Sequence, residues 1–425
     1  MFLILRRLFR REWAACLGAL LFALHPVQVE SVAWISGLKD LLAGLFSLAA
    51  ILAYLHAHPP SPKQARRAYV TAALLLIAAL LSKPSAVVTP LIAAAIDLLV
   101  LHRPLRQILL PIGVALLLCV PILVITRLVQ PAAMSFQPPI WSRPLIATDA
   151  LAFYLQKLLA PIHLAIDYGR SPKWLHSSRQ LYLTWMIPAA TGLAIFLARG
   201  RLPSLAAGAA VFVAALLPVL GFVSFDFQGY STTADHYLYL AMLGPAIMLA
   251  GLLTKAAETG VSTATAKRAL TLAVSGLLIA LAIRATLQTW HWADSQRLFE
   301  HTLAVNPDSL AGNVNLGRLY ADDALASAAA SEQARNRGEV ARAADLAARS
   351  RQAGNAAIKL LLHAVEHFPD DYPANLNLGN VYYTQGRFDK AFEHYSEALR
   401  IQPDSAEAQK GIDGIIKMFT NRLGK

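Results

Sequence analysis

Residues 372–405, YPANLNLGNVYYTQGRFDKAFEHYSEALRIQPDS, read as two amphipathic helices folded against each other. Leu378, Gly379 and Tyr382 precede a turn at Gly386, and Ala391, Tyr395 and Ala398 follow it. Small residues at Gly379, Ala391 and Ala398 let the paired helices approach closely, and Pro403 ends the second. Such a pair cannot bury its apolar face alone, so neighbouring pairs are expected. Upstream, Leu316, Gly317 and Tyr320, then Ala357, Ala364 and Pro369, repeat the pattern. Pro369 to Pro403 is 403 − 369 = 34 residues, whereas Gly317 to Gly379 is 379 − 317 = 62. The earlier unit therefore holds an insertion of 62 − 34 = 28 residues, near 322–355, rich in Ala, Arg and Ser and expected as extended helix or a mobile hairpin. Phe299 and Pro307 suggest the second helix of a further unit, and residues 406–419 suggest a capping helix.

The 34-residue period and its residue pattern resemble the tetratricopeptide repeat. A stacked array this short offers a surface to a polypeptide rather than a catalytic site. Asn315 and Asn377 occupy equivalent positions two before the glycine, on the face expected to line the groove. Their amides suit the backbone of an extended peptide, and equally suit plain solvated repeat positions.

Upstream of Trp290 the chain changes solvent. Of 425 residues 56% are hydrophobic and only 15% charged, against roughly 25% charged in an ordinary soluble protein. The deficit is local: residues 68–82 and 202–224 carry no ionised side chain. An all-α protein of two parts follows, a polytopic helical membrane domain over 1–289 and a repeat solenoid over 290–425. Nine span cores are expected at 13–25, 40–57, 68–82, 85–101, 107–127, 181–198, 202–224, 236–254 and 269–288. Residues 149–163 are amphipathic, with Phe153, Tyr154, Leu158 and Leu159 against Gln156 and Lys157, and are expected to lie in the interface. Residues 1–11 read as part of the membrane domain, not as a removable signal.

Alternate connections carry Arg6, Arg7, Arg10 and Arg11; Lys63, Arg66 and Arg67; Arg103 and Arg106; Arg199 and Arg201; and Lys255, Lys267 and Arg268. The positive-inside rule makes that side cytoplasmic, so nine crossings put the repeat arm outside, in the periplasm of a bacterial inner membrane or in a lumen. The net charge of +12 is thus a matter of lipid headgroups and orientation, and nucleic acid is not expected as a partner. Cys16 and Cys119 lie in apolar spans and encode no disulfide framework.

Ionisable groups at membrane depth are costly, so the polar residues of the outer connections are the functional candidates. The densest group is His25, Glu30 and Trp34, followed by Lys39 and Asp40. Interfacial anchoring by Trp34 with a snorkelling Lys39 is the plain alternative. Lys83, in the next outer turn, suits a lipid phosphate as a point charge or serves as the polar tip of a tight hairpin. The third group spans residues 226–239, where Asp235, His236, Tyr237 and Tyr239 suit phosphate contact or proton transfer, or an aromatic belt. Asp167, Tyr168 and Arg170 make a weaker fourth, and Asp97 is expected to snorkel or pair near the cytoplasmic end of its span. No phosphate-cradling glycine loop, no paired histidines at metal spacing and no nucleophile elbow are read, and no metal ligand is assigned.

In sequence order, His25-Pro-x-x-x-Glu30-x-x-Ala33-Trp34 with Lys39-Asp40, then Leu81-Ser82-Lys83-Pro84, then residues 234–240 (ADHYLYL), resemble the transmembrane and tetratricopeptide-repeat protein O-mannosyltransferases. The resemblance covers nearly the whole chain. It implies a membrane glycosyltransferase of GT-C type, which takes a sugar from a polyprenyl-phosphate carrier and attaches it, with inversion, to an exoplasmic protein. On that reading Lys39, Lys83 and His236 meet the carrier phosphate. His25, Glu30, Trp34, Asp40, Asp235 and Tyr237 are sugar or acceptor contacts, or supports. His236 stands where the family usually has arginine. The family's catalytic aspartate lies in the loop after its first span, and this chain resembles the family from near the end of the second, so no catalytic residue is carried over. No cofactor is required on this reading, and a divalent metal is left open. Two other classes remain: a membrane-anchored scaffold whose arm recruits periplasmic or lumenal proteins, and a transporter for a lipid-linked sugar, for which the spans are too apolar.

Overall fold

The computed structural model describes residues 1–57, 61–129, 136–259 and 264–423, and among them there is no strand. The side chains of Asp226 and Lys267, both within expected groups, lie outside the described set. Contacts divide the chain into one unit of Met1–Ile166 with Arg170–Trp292 and another of Asp167–Gly169 with Ala293–Lys425.

The first unit begins with α1 (Phe2–Phe9), α2 (Glu12–Leu24), α3 (Val29–Ala33), α4 (Leu38–His56), α5 (Pro62–Ser82), α6 (Thr89–Leu99) and α7 (Leu105–Val129). It continues with α8 (Arg143–Leu159), the short α9 (Pro172–Ser177) and α10 (Leu181–Thr184), α11 (Met186–Ala198), α12 (Pro203–Leu216), α13 (Leu238–Ala241), α14 (Leu243–Glu258) and α15 (Ala264–Trp290). Each expected span core overlaps a helix or a bent helix pair, but among the described residues only five helices are long and apolar enough to cross. Two more count if the pairs Glu12–Leu24 with Pro26–Ala33, bent by 55°, and Asp235–Ala241 with Leu243–Glu258, bent by 46°, are single spans. Pro84–Leu99 and Pro203–Val219 are shorter. Proline explains much of this: Pro26 and Pro84 sit at helix starts where a missing N–H is harmless, and they break the runs.

At 25 residues α7 is about 38 Å long, more than the roughly 30 Å of a hydrocarbon core. Its Leu109, Leu110, Leu117 and Leu128 are exposed, as are Leu272, Ile279, Ile283 and Trp290 of α15, and α11 buries no residue. Apolar faces of this extent suit lipid as the surrounding solvent, so this is an integral membrane unit. Its core gathers Ile4, Leu5, Ile51, Leu55, Ile92, Ile96, Val211 and Ile247 from five helices.

Two of the basic connections, those of Arg6, Arg7 and Arg10 and of Arg103, meet at one end. Arg6, Arg7, Arg10, His56 and Arg103 surround a cavity of about 560 Å³, and Arg7 Nε donates to Leu55 O at 3.1 Å. Asp97 is paired there as expected, accepting from Arg103 Nη1 at 2.9 Å and from the Tyr54 hydroxyl at 2.5 Å. Helix α8 corrects the sequence reading. Its polar Asp149 and Lys157 are buried with Tyr154, while Leu159 is 87% exposed. Asp149 and Lys157 are held by partners from the loop that follows, while Gln156 is exposed.

The second unit is a helical solenoid: α16 (Ser295–Val305), α17 (Leu310–Asn336), α18 (Val340–His367), α19 (Tyr372–Thr384), α20 (Phe388–Ile401) and α21 (Ala406–Leu423). The 28-residue insertion is regular helix, extending α17 and α18 into one long antiparallel pair that turns at Gly338, φ 79°. Buried Ala321, Ala324, Ser327, Ser331 and Ala334 form a narrow seam along α17. In the next pair a Cβ at Gly379 would stand 2.5 Å from Tyr395 Cδ1, so glycine is what admits the tyrosine ring. Helix α21, expected as a capping helix, packs against α19 and α20 and adds Ala408 and Ile415 to this core.

Candidate functional site

The end of the membrane unit away from Arg6, Arg7 and Arg103 carries the acidic candidates. The chain leaves α2 at His25, turns through a 3-10 segment at Pro26–Gln28, and presents Glu30 from α3. From 206 residues away, Glu30 Oε1 lies 2.7 Å from His236 Nδ1, and Oε2 accepts the His236 backbone N–H at 3.1 Å. One carboxylate therefore fixes both the ring and the main chain of the 3-10 turn Asp235–Tyr237. With Nδ1 committed, Nε2 is the nitrogen left to meet a ligand. Tyr237 packs edge-on against the imidazole with centroids 4.3 Å apart, and Phe227 and Trp34 close the other sides at 6.1 and 5.9 Å.

Lys83, at the break after α5, donates to Asp40 Oδ1 in the first turn of α4, and its ammonium stands 5.6 Å from the Tyr237 ring centroid. The two pairs meet on one cavity of about 50 Å³, lined by Asp40, Gly44, Ser47, Lys83, His236, Tyr237 and Tyr239 among others. That is room for about three to five waters, or one phosphate-sized group. Gly44 shapes its floor, because a Cβ there would lie 2.4 Å from Tyr239 Cε1. Buried charges in a low-dielectric setting persist only when paired, and pairing is what the cluster provides.

Several buried polar atoms of these segments lack a protein partner among the described residues: the Gln28 and Gln228 side-chain amides, Ser31 Oγ, Thr232 Oγ1 and Asp40 Oδ2. Buried polar groups are nearly always hydrogen-bonded, so these atoms call for water or a hydroxyl-rich ligand.

The structure thus brings Glu30, Trp34, Asp40, Lys83, His236 and Tyr237 together, and leaves two expected residues aside. Lys39 is exposed and does not line the cavity. His25 is held by the backbone at both nitrogens, accepting from Val27 N–H at 3.4 Å and facing Leu158 O at 3.2 Å, and it does not line the cavity. Asp235 is buried within electrostatic reach of Lys157, whose ammonium donates to Ile162 O and His163 O at 2.8 and 3.0 Å. Beside it Arg170 grips Asp149 at 2.6 and 2.7 Å while lying 5.3 Å from the Phe153 ring centroid. Sequence reasoning missed Lys157 and Asp149 as members of this end.

On the arm, Asn315 is half-buried and its amide donates to Ala311 O of its own helix at 2.8 Å; Asn377 is also half-buried. The asparagines two positions earlier do more. Asn313 donates to Pro307 O and Ser309 O, and Asn375 donates to Pro369 O and Asp371 O, in the same way in both units. The reading that no histidines stand at metal spacing is also corrected: His363 and His367 are one turn apart on α18, with Asp308 beside them.

Comparison with known proteins agrees with this architecture. The tetratricopeptide repeat model matches residues 372–405. Mouse protein O-mannosyl-transferase TMTC3 is 24% identical over 96% of this chain and 45% of its own length, and human TMTC3 gives the same figures. Protein O-mannosyl-transferase Tmtc2 of Drosophila melanogaster is 31% identical over 39% of this chain and 19% of its own. The chain spans less than half the length of these relatives. Over nearly its whole length, then, the chain is similar to these TMTC proteins, with a helical membrane unit followed by tetratricopeptide helices.

Proposed function

We propose that the protein acts as a GT-C-like membrane glycosyltransferase, moving a sugar, taken as mannose from the relatives' names, from a polyprenyl-phosphate carrier to a protein acceptor presented by the repeat arm. The acid-bearing end and the arm then share the exoplasmic side, the periplasm of a bacterial inner membrane. The observation that carries the reading is the meeting of Lys83–Asp40 and Glu30–His236 on one phosphate-sized cavity at the end away from the arginines. In the reaction the acceptor oxygen bonds to the anomeric carbon as the carbon–oxygen bond to phosphate breaks, with inversion. The acceptor proton passes to a carboxylate, and the electron pair leaves on the polyprenyl phosphate. Lys83 and His236 Nε2 stabilise that leaving phosphate, and Glu30 holds His236 in place. The orphaned amides and hydroxyls of Gln28, Ser31, Gln228 and Thr232 suit sugar hydroxyls. No residue here is assigned as the acceptor base, and this reading uses no metal at this site.

The test is transfer by the full chain in lipid nanodiscs, given polyprenyl-phosphate mannose and a Ser/Thr-rich peptide. Mannosylated peptide that disappears with Lys83→Met and His236→Ala supports the reading. Absence of transfer from any polyprenyl-phosphate sugar, with peptide still captured by the arm, overturns it in favour of a membrane-anchored scaffold.

A further inference from the structure

We propose that Asp308, His363 and His367 form a divalent transition-metal site on the repeat arm, for which Zn²⁺ suits the two imidazoles and one carboxylate. His363 and His367 stand four residues apart near the end of α18, so their rings share one face, with centroids 4.4 Å apart. Asp308 comes from the turn between α16 and α17. Its Oδ1 lies 2.9 Å from His363 Nε2 and 3.8 Å from His367 Nε2, and all three donor atoms fall within 4.8 Å of one another. Tetrahedral zinc with bonds of about 2.0–2.1 Å separates its ligand atoms by about 3.3 Å. Side-chain shifts of a few tenths of an ångström to about an ångström at these exposed residues are therefore enough to close the site.

Two further observations support it. His367 Nδ1 lies 2.9 Å from His363 O, so it donates there and leaves the Nε2 lone pair for a metal, the outer hydrogen bond that metal-bound histidines usually make. In the next repeat, the carboxylate at the matching position, Asp370 (370 − 308 = 62, the Gly317-to-Gly379 offset), is held by Arg400 Nη2 at 2.5 Å. The same corner in the earlier repeat has two imidazoles instead of a guanidinium. A metal ion supplies there the positive charge that arginine supplies one repeat later, and ties α18 to the turn before α17. All three side chains are at least a third exposed, so an ion can enter and keep water on its open position.

The experiment uses the full chain in detergent, stripped with chelator and titrated with Co²⁺ as a visible-absorption probe, then with Zn²⁺. One equivalent of tetrahedral Co²⁺ absorption, displaced by Zn²⁺, is expected. His363→Ala and His367→Ala should each weaken it at least tenfold, and His291→Ala should not. Zn²⁺ should raise the unfolding temperature of the unsubstituted chain and leave His363→Arg, which restores an arginine opposite Asp308, unmoved. No saturable absorption, or binding that survives both alanine replacements, overturns the proposal.

Discussion

Replacing Glu30 by glutamine removes the charge facing His236 while leaving an oxygen for the backbone N–H at 3.1 Å. The lost contact is the 2.7 Å approach of Oε1 to Nδ1 between two side chains that are both more than nine-tenths buried. The carboxylate is the charged partner, and burying it offsets part of what the contact contributes. Hydrogen bonds to charged groups contribute about 1.5–3 kcal/mol net, so we take about 2 kcal/mol for the coupling, or about 30-fold. The assay is polyprenyl-phosphate binding to nanodisc-embedded protein for the unsubstituted chain, Glu30→Gln, His236→Gln and the double variant. Glu30→Gln alone should weaken binding by about 30-fold, and the double variant should lose little beyond His236→Gln. If the two single losses add within about 0.5 kcal/mol, the residues act independently and the idea that Glu30 positions His236 fails.

Gly44→Ala puts a Cβ 2.4 Å from Tyr239 Cε1, a strain of about 1–3 kcal/mol that the ring relieves by moving into the cavity. Carrier binding should fall at least tenfold, whereas Gly113→Ala, with nothing within 4 Å, should match the unsubstituted chain. On the arm, burial holds the His394 imidazole below its ordinary 6.5. A depressed folded-state value means the unfolded chain binds the proton more readily, so stability present above 6.5 is lost as the pH falls through and below it. Chelator-treated protein should melt at lower temperature from pH 7 to pH 5, His394→Gln should flatten the slope, and an equal slope in both discards this assignment. Sidedness is checked in sealed vesicles with cysteines at the exposed Ser36, Gln64 and Glu332, after Cys16→Ser and Cys119→Ser. Ser36 and Glu332 should label from the exoplasmic side and Gln64 from the other; Glu332 labelling together with Gln64 defeats the proposed orientation.

The helices themselves were legible because apolar run length and proline position act locally. Which faces they bury was not. Outside this unit lies hydrocarbon, so apolarity no longer distinguishes inside from outside: α11 has no ionisable residue yet buries nothing, whereas α14, which carries Lys255 and Glu258, buries eight of its residues. The same ambiguity hid Lys157 and Asp149, whose helical spacing suggested a wet face. The order of the outer polar segments named most of the candidate site, but the partnerships came only from the fold. Glu30 finds His236 across 206 residues, and Lys83 finds Asp40 across 43. The histidine pair on α18 was missed in the sequence, and its carboxylate, 55 residues earlier in a different turn, is what no local pattern could supply.

The long pair α17–α18 has a consequence for how such an arm can vary in length. These helices have 27 and 28 residues against 13 and 14 in α19 and α20, so each is longer by 14 (27 − 13 and 28 − 14). Fourteen residues are about 3.9 turns, close enough to a whole number that Gly317 and Leu361 still face their partners after the added length. Increments of seven per helix preserve that phase, while three or five would swing the small-residue seam toward solvent. Trimming seven residues from both sides of Gly338 should therefore shorten the spur and leave the stacking beneath it undisturbed.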